Sequence, residues 1–254
     1  MIIDAYNTTQ NVRPRSDYLT GLRPGEPPPP HVPFDPRRIL ERMDAAGVDM
    51  AMCCSLGQRI ENDFIIDLVR RHPDRLFGFG QVIPGTDGDV EEVERIAEAG
   101  LKGLKLHPTM HGYHVADHGL LDPLFDACRR HGLMVLVNAL DDAFCSPLAI
   151  EEIARGFPEV PTLIAHMGAV WNVPEAILVA ERTPNIYLET SSTLLADVRR
   201  AYARVGAQKI VMGTEWPGHD FDLERMKLAK AIPDPDDLAL VEGGNMARLL
   251  RLEG

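Results

Sequence analysis

The chain has 254 residues, 45% hydrophobic and 25% charged, with a formal net charge of −12 at pH 7. That acidic excess argues against nucleic acid or an anionic membrane as partner, because tracking phosphates requires a basic surplus. No stretch approaches the roughly 18 apolar residues of a membrane span, and Met1-Ile-Ile-Asp-Ala-Tyr6 lacks the basic head and cleavage site of a signal peptide. The sequence therefore predicts a cytoplasmic protein with a small-molecule partner, and a homodimer on general frequency.

Apolar runs of strand length alternate with amphipathic segments of helix length along the whole chain. Taken in order, the predicted strands are 2–6, 49–54, 76–82, 102–106, 133–138, 161–166, 186–190 and 209–213. Pro36 opens the first helix and Ala46-Gly47 ends it, and Ala99-Gly100, His131-Gly132 and Val205-Gly206 mark later stops, each just before a strand. Eight strands with helices between them close a parallel barrel. The rhythm favours one (β/α)₈ TIM barrel, residues 1–254 as a single domain, over two smaller units.

After the first strand comes an irregular segment, 7–34, containing Pro24-Gly-Glu-Pro-Pro-Pro-Pro30. Proline lacks the amide donor and restricts its predecessor, so this is a loop of polyproline character. It is either a lid or pocket wall carrying Arg13, Arg15, Arg23 or His31, or a solvated linker or oligomer contact. His111, His114 and His118 read as a histidine-rich surface loop, since Pro108 and Gly112 interrupt a helix there. The C-terminal stretch from Asp234 to Leu252 reads as helical, with Asn245 as a plausible N-cap, plugging or flanking the barrel base.

The four cysteines, Cys53, Cys54, Cys128 and Cys145, have no C-x-x-C spacing and give neither a zinc nor a redox pattern. Cys53 and Cys54 belong to an apolar run and read as reduced core residues. Cys145 sits in a loop and is a weak nucleophile candidate.

In such a barrel, chemistry is carried by residues at the C-terminal ends of the strands. Those positions hold Tyr6, Thr8, Gln81, Lys105, His107, Asn138, His166, Glu189 and Glu215, a polar ring. His166 and Glu215 are the candidate proton carriers. Lys105 and His107, two apart, are candidates to polarise a substrate oxygen or hold a carboxylate, though Lys105 could instead pair structurally with Glu189. Tyr6, Thr8, Asn138, Glu189 and Trp216 are candidate substrate-binding residues.

Ile2-Ile-Asp-Ala5, Gly103-Leu-Lys-Leu-His-Pro108, Leu163-Ile-Ala-His-Met-Gly168, Ile210-Val-Met-Gly-Thr-Glu-Trp-Pro217 and Gly244-Asn-Met-Ala-Arg-Leu-Leu250 occur in that order. Together they resemble the amidohydrolase-2 branch of the amidohydrolase superfamily, which includes the aminocarboxymuconate-semialdehyde-decarboxylase-like enzymes. The resemblance implies a barrel hydrolase or lyase for small, often carboxylated compounds, usually with one zinc-like ion. In that family the ion is held by a His-x-His pair ending strand one, a histidine ending strand five and an aspartate after strand eight, with a strand-six histidine assisting. Here those places hold Tyr6 and Thr8, Asn138 and Glu215, and only His166 matches.

Zinc prefers imidazole and thiolate to amide or hydroxyl ligands. The expectation is therefore an enzyme working by acid/base chemistry with no metal or other cofactor. Two alternatives stay open. One is a conventional metallohydrolase or decarboxylase with substitute ligands, its single ion near His166 and Glu215. The other is a non-catalytic binding protein on the same barrel.

Overall fold

The computed structural model describes residues 1–9, 34–56, 60–140 and 143–252. Eight parallel strands form one sheet in sequential order: β1 (Ile3–Asp4), β2 (Met50–Cys53), β3 (Leu76–Gln81), β4 (Gly103–Leu106), β5 (Met134–Asn138), β6 (Thr162–Ala165), β7 (Ile186–Glu189) and β8 (Ile210–Val211). Single bonds close the seam between β8 and β1: Ala5 N donates to Met212 O, Glu215 N to Tyr6 O and Thr8 N to Trp216 O. With helices between the strands, this is a (β/α)₈ TIM barrel, as the repeat predicts. The outer strands are shorter than their apolar runs because the seam is made of separate bonds rather than a continuous ladder.

Strand alternation sorts side chains into two layers. Ile3, Met52, Phe77, Phe79, Met134, Leu136, Leu163 and Val211 fill the barrel interior, while Leu104, Val135, Val137, Ile164, Leu188 and Ile210 pack outward against the helices. Gly78 and Gly80 face the helices, where a Cβ would come within 2.7 Å of Leu101 and 2.3 Å of Ile96. Gly103 faces inward, where a Cβ would meet the Phe79 ring at 2.5 Å. Glycine thus lets the helices close on β3 and lets Phe79 lie across the interior.

The helix punctuation follows the sequence. Asp35 caps Pro36–Ala46 through the Arg37 amide, and Gly47 ends that helix in the left-handed region at φ 68. The helix His118–His131 ends on Gly132 in the same conformation. The C-terminus differs from expectation. Asp234 is the cap, accepting from the Asp236 and Asp237 amides, and the chain runs on through a π-helical turn, Leu240–Gly244, into Asn245–Leu249. Asn245 is therefore inside a continuous helix, and its Nδ2 donates to Ala207 O at 2.8 Å and Ile210 O at 2.7 Å. This ties the helix to the start of β8 and sets Met246 in the interior core at the barrel base.

Pro108 opens a short helix, Pro108–His111, rather than interrupting one, and Gly112 ends it at φ 72. The three histidines do not gather: His114 Nδ1 accepts from the Ala116 amide at 3.1 Å, and His118 Nδ1 pairs with Asp122 at 2.8 Å. None of the four cysteines is in a disulfide and all are buried, Cys145 included. Arg13, Arg15, Arg23 and His31 lie outside the described residues. Among the described residues no helix is long and apolar enough to cross a membrane.

Candidate active site

Parity along the strands decides what enters the barrel mouth. Phe77 and Phe79 point inward, so Gln81 does too, and Gly103 inward puts Lys105 inward. Gln81 and Lys105 are register partners on adjacent strands. Lys105 is completely buried. Its Nζ donates to Tyr6 Oη at 2.8 Å and lies 3.5 Å from Ser55 O. Tyr6 Oη, accepting from the ammonium, donates to Asn138 Oδ1 at 3.0 Å. Asn138 Oδ1 also lies 3.4 Å from His166 Nε2, and the His166 and Tyr6 rings are 5.4 Å apart.

The line continues behind His166. Its Nδ1 is 2.9 Å from Ser191 Oγ and 3.3 Å from Ser191 O. A carbonyl only accepts, and Ser191 Oγ gives its hydrogen to Glu189 Oε2 at 2.8 Å, so Nδ1 carries a proton. Glu189 also accepts from the His166 amide at 3.0 Å and the Ser191 amide at 2.6 Å. Burial raises the Glu189 pKa above the ordinary carboxylate range; the His166 charge and these donors oppose the shift. Lys105, Tyr6, Asn138, His166, Ser191 and Glu189 thus form one hydrogen-bonded line across β4, β1, β5, β6 and β7. The alternative pairing of Lys105 with Glu189 is not formed: the two stand at opposite ends of this line.

Glu189, a candidate substrate-binding residue, faces His166 and Ser191, packed so tightly against the end of β8 that a Cβ at Gly213 would lie 2.0 Å from its Oε1. Glu215 lies on the rim, half-buried, accepting from Ser192 Oγ at 2.9 Å, and that hydroxyl also lies 3.0 Å from His219 Nε2. Adjacent serines therefore hold the two candidate proton carriers, Ser191 the histidine and Ser192 the carboxylate. Lys227 steadies their turn, donating to the Thr190 carbonyl at 2.7 Å.

The chain leaves β6, β7 and β8 through left-handed non-glycine residues, His166 at φ 59, Ser192 at φ 58 and Glu215 at φ 59. Such backbone costs on the order of 1–3 kcal/mol each and concentrates at functional sites.

The remaining expected residues are at the rim. His107 Nδ1 accepts from the Met110 amide at 3.4 Å, capping the short helix, with its ring 6.3 Å from that of His111. Thr8 donates through Oγ1 to Trp216 O at 3.4 Å. Trp216 donates its amide to Asn7 Oδ1 at 3.0 Å and meets the Phe34 ring edge-on at 6.3 Å. A cleft of about 590 Å³ beside it is lined by Arg38, Arg42, Trp216 and His219, and not by His166 or Lys105.

Two kinds of residue escape a reading of strand ends. Asp4 is wholly buried at the seam, accepting from the Tyr6 amide at 3.0 Å, from Asn7 Nδ2 at 2.8 Å and from Thr214 Oγ1. Burial pushes its carboxyl up to about 8, against the hydrogen bonds from Thr214 and Tyr6. A charged residue inside an apolar strand is the signal that marks it. Ser191 and Ser192 carry no such signal, because serine in a loop is commonplace.

The ion implied by the resemblance fits this donor set poorly. Tyr6 and Asn138 are bonded to one another, Thr8 to a carbonyl and Glu215 to Ser192, and an ammonium stands 2.8 Å from the Tyr6 hydroxyl. A phenol, a hydroxyl and an amide are weak ligands for a zinc-like ion. Among the described residues, no three histidines, cysteines or carboxylates converge.

Comparison with known proteins agrees with the fold. The chain is similar to 5-carboxyvanillate decarboxylase from Sphingomonas paucimobilis, at 18% identity and TM-score 0.77, covering 99% of each chain. It is similar to 2,6-dihydroxybenzoate decarboxylase from Rhizobium, at 15% identity and TM-score 0.76, covering 100% of this chain and 99% of the other. It also resembles a probable 2-pyrone-4,6-dicarboxylic acid hydrolase from Acinetobacter baumannii, at 14% identity and TM-score 0.73, covering 99% of each chain. No curated protein matches. The amidohydrolase family model matches residues 10–252, so the chain belongs to the amidohydrolase family.

Proposed function

We propose that this amidohydrolase is a hydrolase or lyase acting on a small carboxylate-bearing compound through acid/base chemistry of its own side chains, without the family's usual metal. The observation that carries the reading is the buried line from Lys105 to Glu189. A fully buried ammonium with a phenol on it places fixed positive charge where an oxyanion or carboxylate develops, and such preorganised charge contributes strongly in a water-poor site. At the other end, Nδ1 of His166 is held by Ser191, and Nε2, whose neighbour is the acceptor Asn138 Oδ1 at 3.4 Å, is the atom with a proton to give. Glu215 on the rim is the second proton carrier. The neighbours named above as decarboxylases and a hydrolase of carboxylic acids support the substrate class.

Neither buried carboxylate serves as nucleophile. Glu189 orients His166 and balances its charge, and Asp4 holds β1 against β8. The reading also takes the protein as cytoplasmic and as a homodimer, the second of which light scattering on the purified chain checks.

The deciding experiment is metal analysis of the purified protein, with turnover against a panel of β-keto acids, hydroxybenzoates, lactones and amides before and after chelation. Turnover that survives chelation in metal-free protein is the expected result. A stoichiometric divalent ion whose removal abolishes turnover would favour the substitute-ligand metalloenzyme. A bound organic acid recovered unchanged, with no product from any panel member, would favour a binding protein.

A further inference from the structure

Gln81 is the inward-facing residue that the line from Lys105 to Glu189 leaves out. It is completely buried, and among the described residues neither Nε2 nor Oε1 of its side chain has a hydrogen-bond partner. Its main chain, by contrast, is held at both ends by one side chain: the Gln81 amide donates to Asn62 Oδ1 at 2.9 Å, and Asn62 Nδ2 donates to Gln81 O at 2.9 Å. Asn62 in turn donates to Glu92 at 2.6 Å. The backbone position is therefore fixed while the amide group is left unmatched, inside the barrel and in register with Lys105. Buried polar groups are almost always paired, so a doubly orphaned amide on the catalytic face of a barrel calls for a partner that binds there.

The chemistry of that partner follows from the donor and acceptor inventory. A primary amide presents N–H and C=O side by side in one plane. A carboxylate satisfies the N–H and leaves the carbonyl unpaired, and an ether or ester does the same. A carboxamide or lactam edge satisfies both at once through two antiparallel hydrogen bonds. We propose that Gln81 is a substrate-binding residue that reads a carboxamide or lactam edge on the compound whose carboxylate the mouth accepts; this rests on the carboxylate reading above. Sites built on such buried groups reject analogues lacking the matching group, because the protein partner is then left unpaired.

The test is calorimetric titration of the full chain with three acids of one shape: pyroglutamate, its lactone counterpart 5-oxotetrahydrofuran-2-carboxylate, and cyclopentanecarboxylate. An open-chain set, succinamate, monomethyl succinate and pentanoate, is run beside it. The expected order in both sets is amide, then ester, then hydrocarbon, with Kd rising about tenfold at the first step, where the N–H is lost. Gln81→Leu should flatten both series to the hydrocarbon value without lowering the melting temperature, which separates a lost contact from a damaged fold. Equal affinities across a set in the wild type, or a gradient that survives in Gln81→Leu, overturns the assignment of Gln81 alone. Failure of all six acids to bind overturns the carboxylate reading, and the Gln81 assignment with it.

Discussion

Ser191 Oγ stands 2.9 Å from His166 Nδ1 while giving its own hydrogen to Glu189. The hydroxyl thereby fixes a proton on Nδ1, and Nε2, 3.4 Å from Asn138 Oδ1, is the atom left for chemistry. Removing the imidazole in His166→Ala should lower kcat/KM by about 10²-fold or more, the range for a proton carrier. Ser191→Ala should cost about tenfold, with the pH profile displaced, and Ser191→Thr should restore much of it because the hydroxyl returns. Unaltered pH–rate profiles in Ser191→Ala would count against the relay.

Tyr6→Phe deletes the oxygen between the Lys105 ammonium and Asn138 Oδ1. Both partners are buried, so the loss should destabilise the fold by about 1–3 kcal/mol, the cost of leaving a buried polar group unmatched. Urea denaturation measures it. Wild-type stability in this variant would mean that the phenol oxygen contributes nothing to the line.

Glu215 is only half-buried and accepts from one hydroxyl, that of Ser192. Its amide replacement, Glu215→Gln, keeps shape and an acceptor but loses the proton capacity. Turnover should fall by about 10²-fold, with stability within about 0.5 kcal/mol of wild type. A large loss of stability with turnover intact would instead make Glu215 a structural residue of the rim.

Asp4 gives a pH dependence of stability. Its carboxyl titrates near 8 in the folded chain and near 3.8 in the unfolded one. Between those values the native state holds the extra proton. The contribution is therefore fully present below about pH 4 and is lost as pH rises through 8. Asp4→Asn cannot ionise and should remove that slope. Guanidinium unfolding of both proteins at pH 5, 7 and 9 should show wild type losing stability relative to the variant. Parallel curves would mean that the folded carboxyl ionises in the normal range.

Much of the architecture was legible in the residue pattern. The predicted strands 76–82 and 133–138 lie within a residue of β3 and β5 at each end, because apolar runs and the glycine at 132 are local signals. The misreadings came from chemistry that depends on neighbours distant in sequence. Asn245 looks like a cap in isolation, but Ala207 and Ile210 claim its amide. Which strand-end side chains meet is set the same way: Gly213, 24 positions from Glu189, brings the end of β8 against its carboxylate.

The sequence by itself determined the eightfold repeat and the polar residues at the strand ends, Tyr6, Thr8 and Asn138 among them, since periodicity and residue identity are written in the chain. The tertiary structure alone decided which polar groups meet. It joined Lys105 to Tyr6, 99 positions apart, and His166 to Ser191, 25 apart, and among the described residues it left the Gln81 amide without a partner. The physical reason is that hydrogen bonding is settled over about 3 Å in space, and closing a barrel brings together side chains whose separation along the chain carries no trace of that meeting.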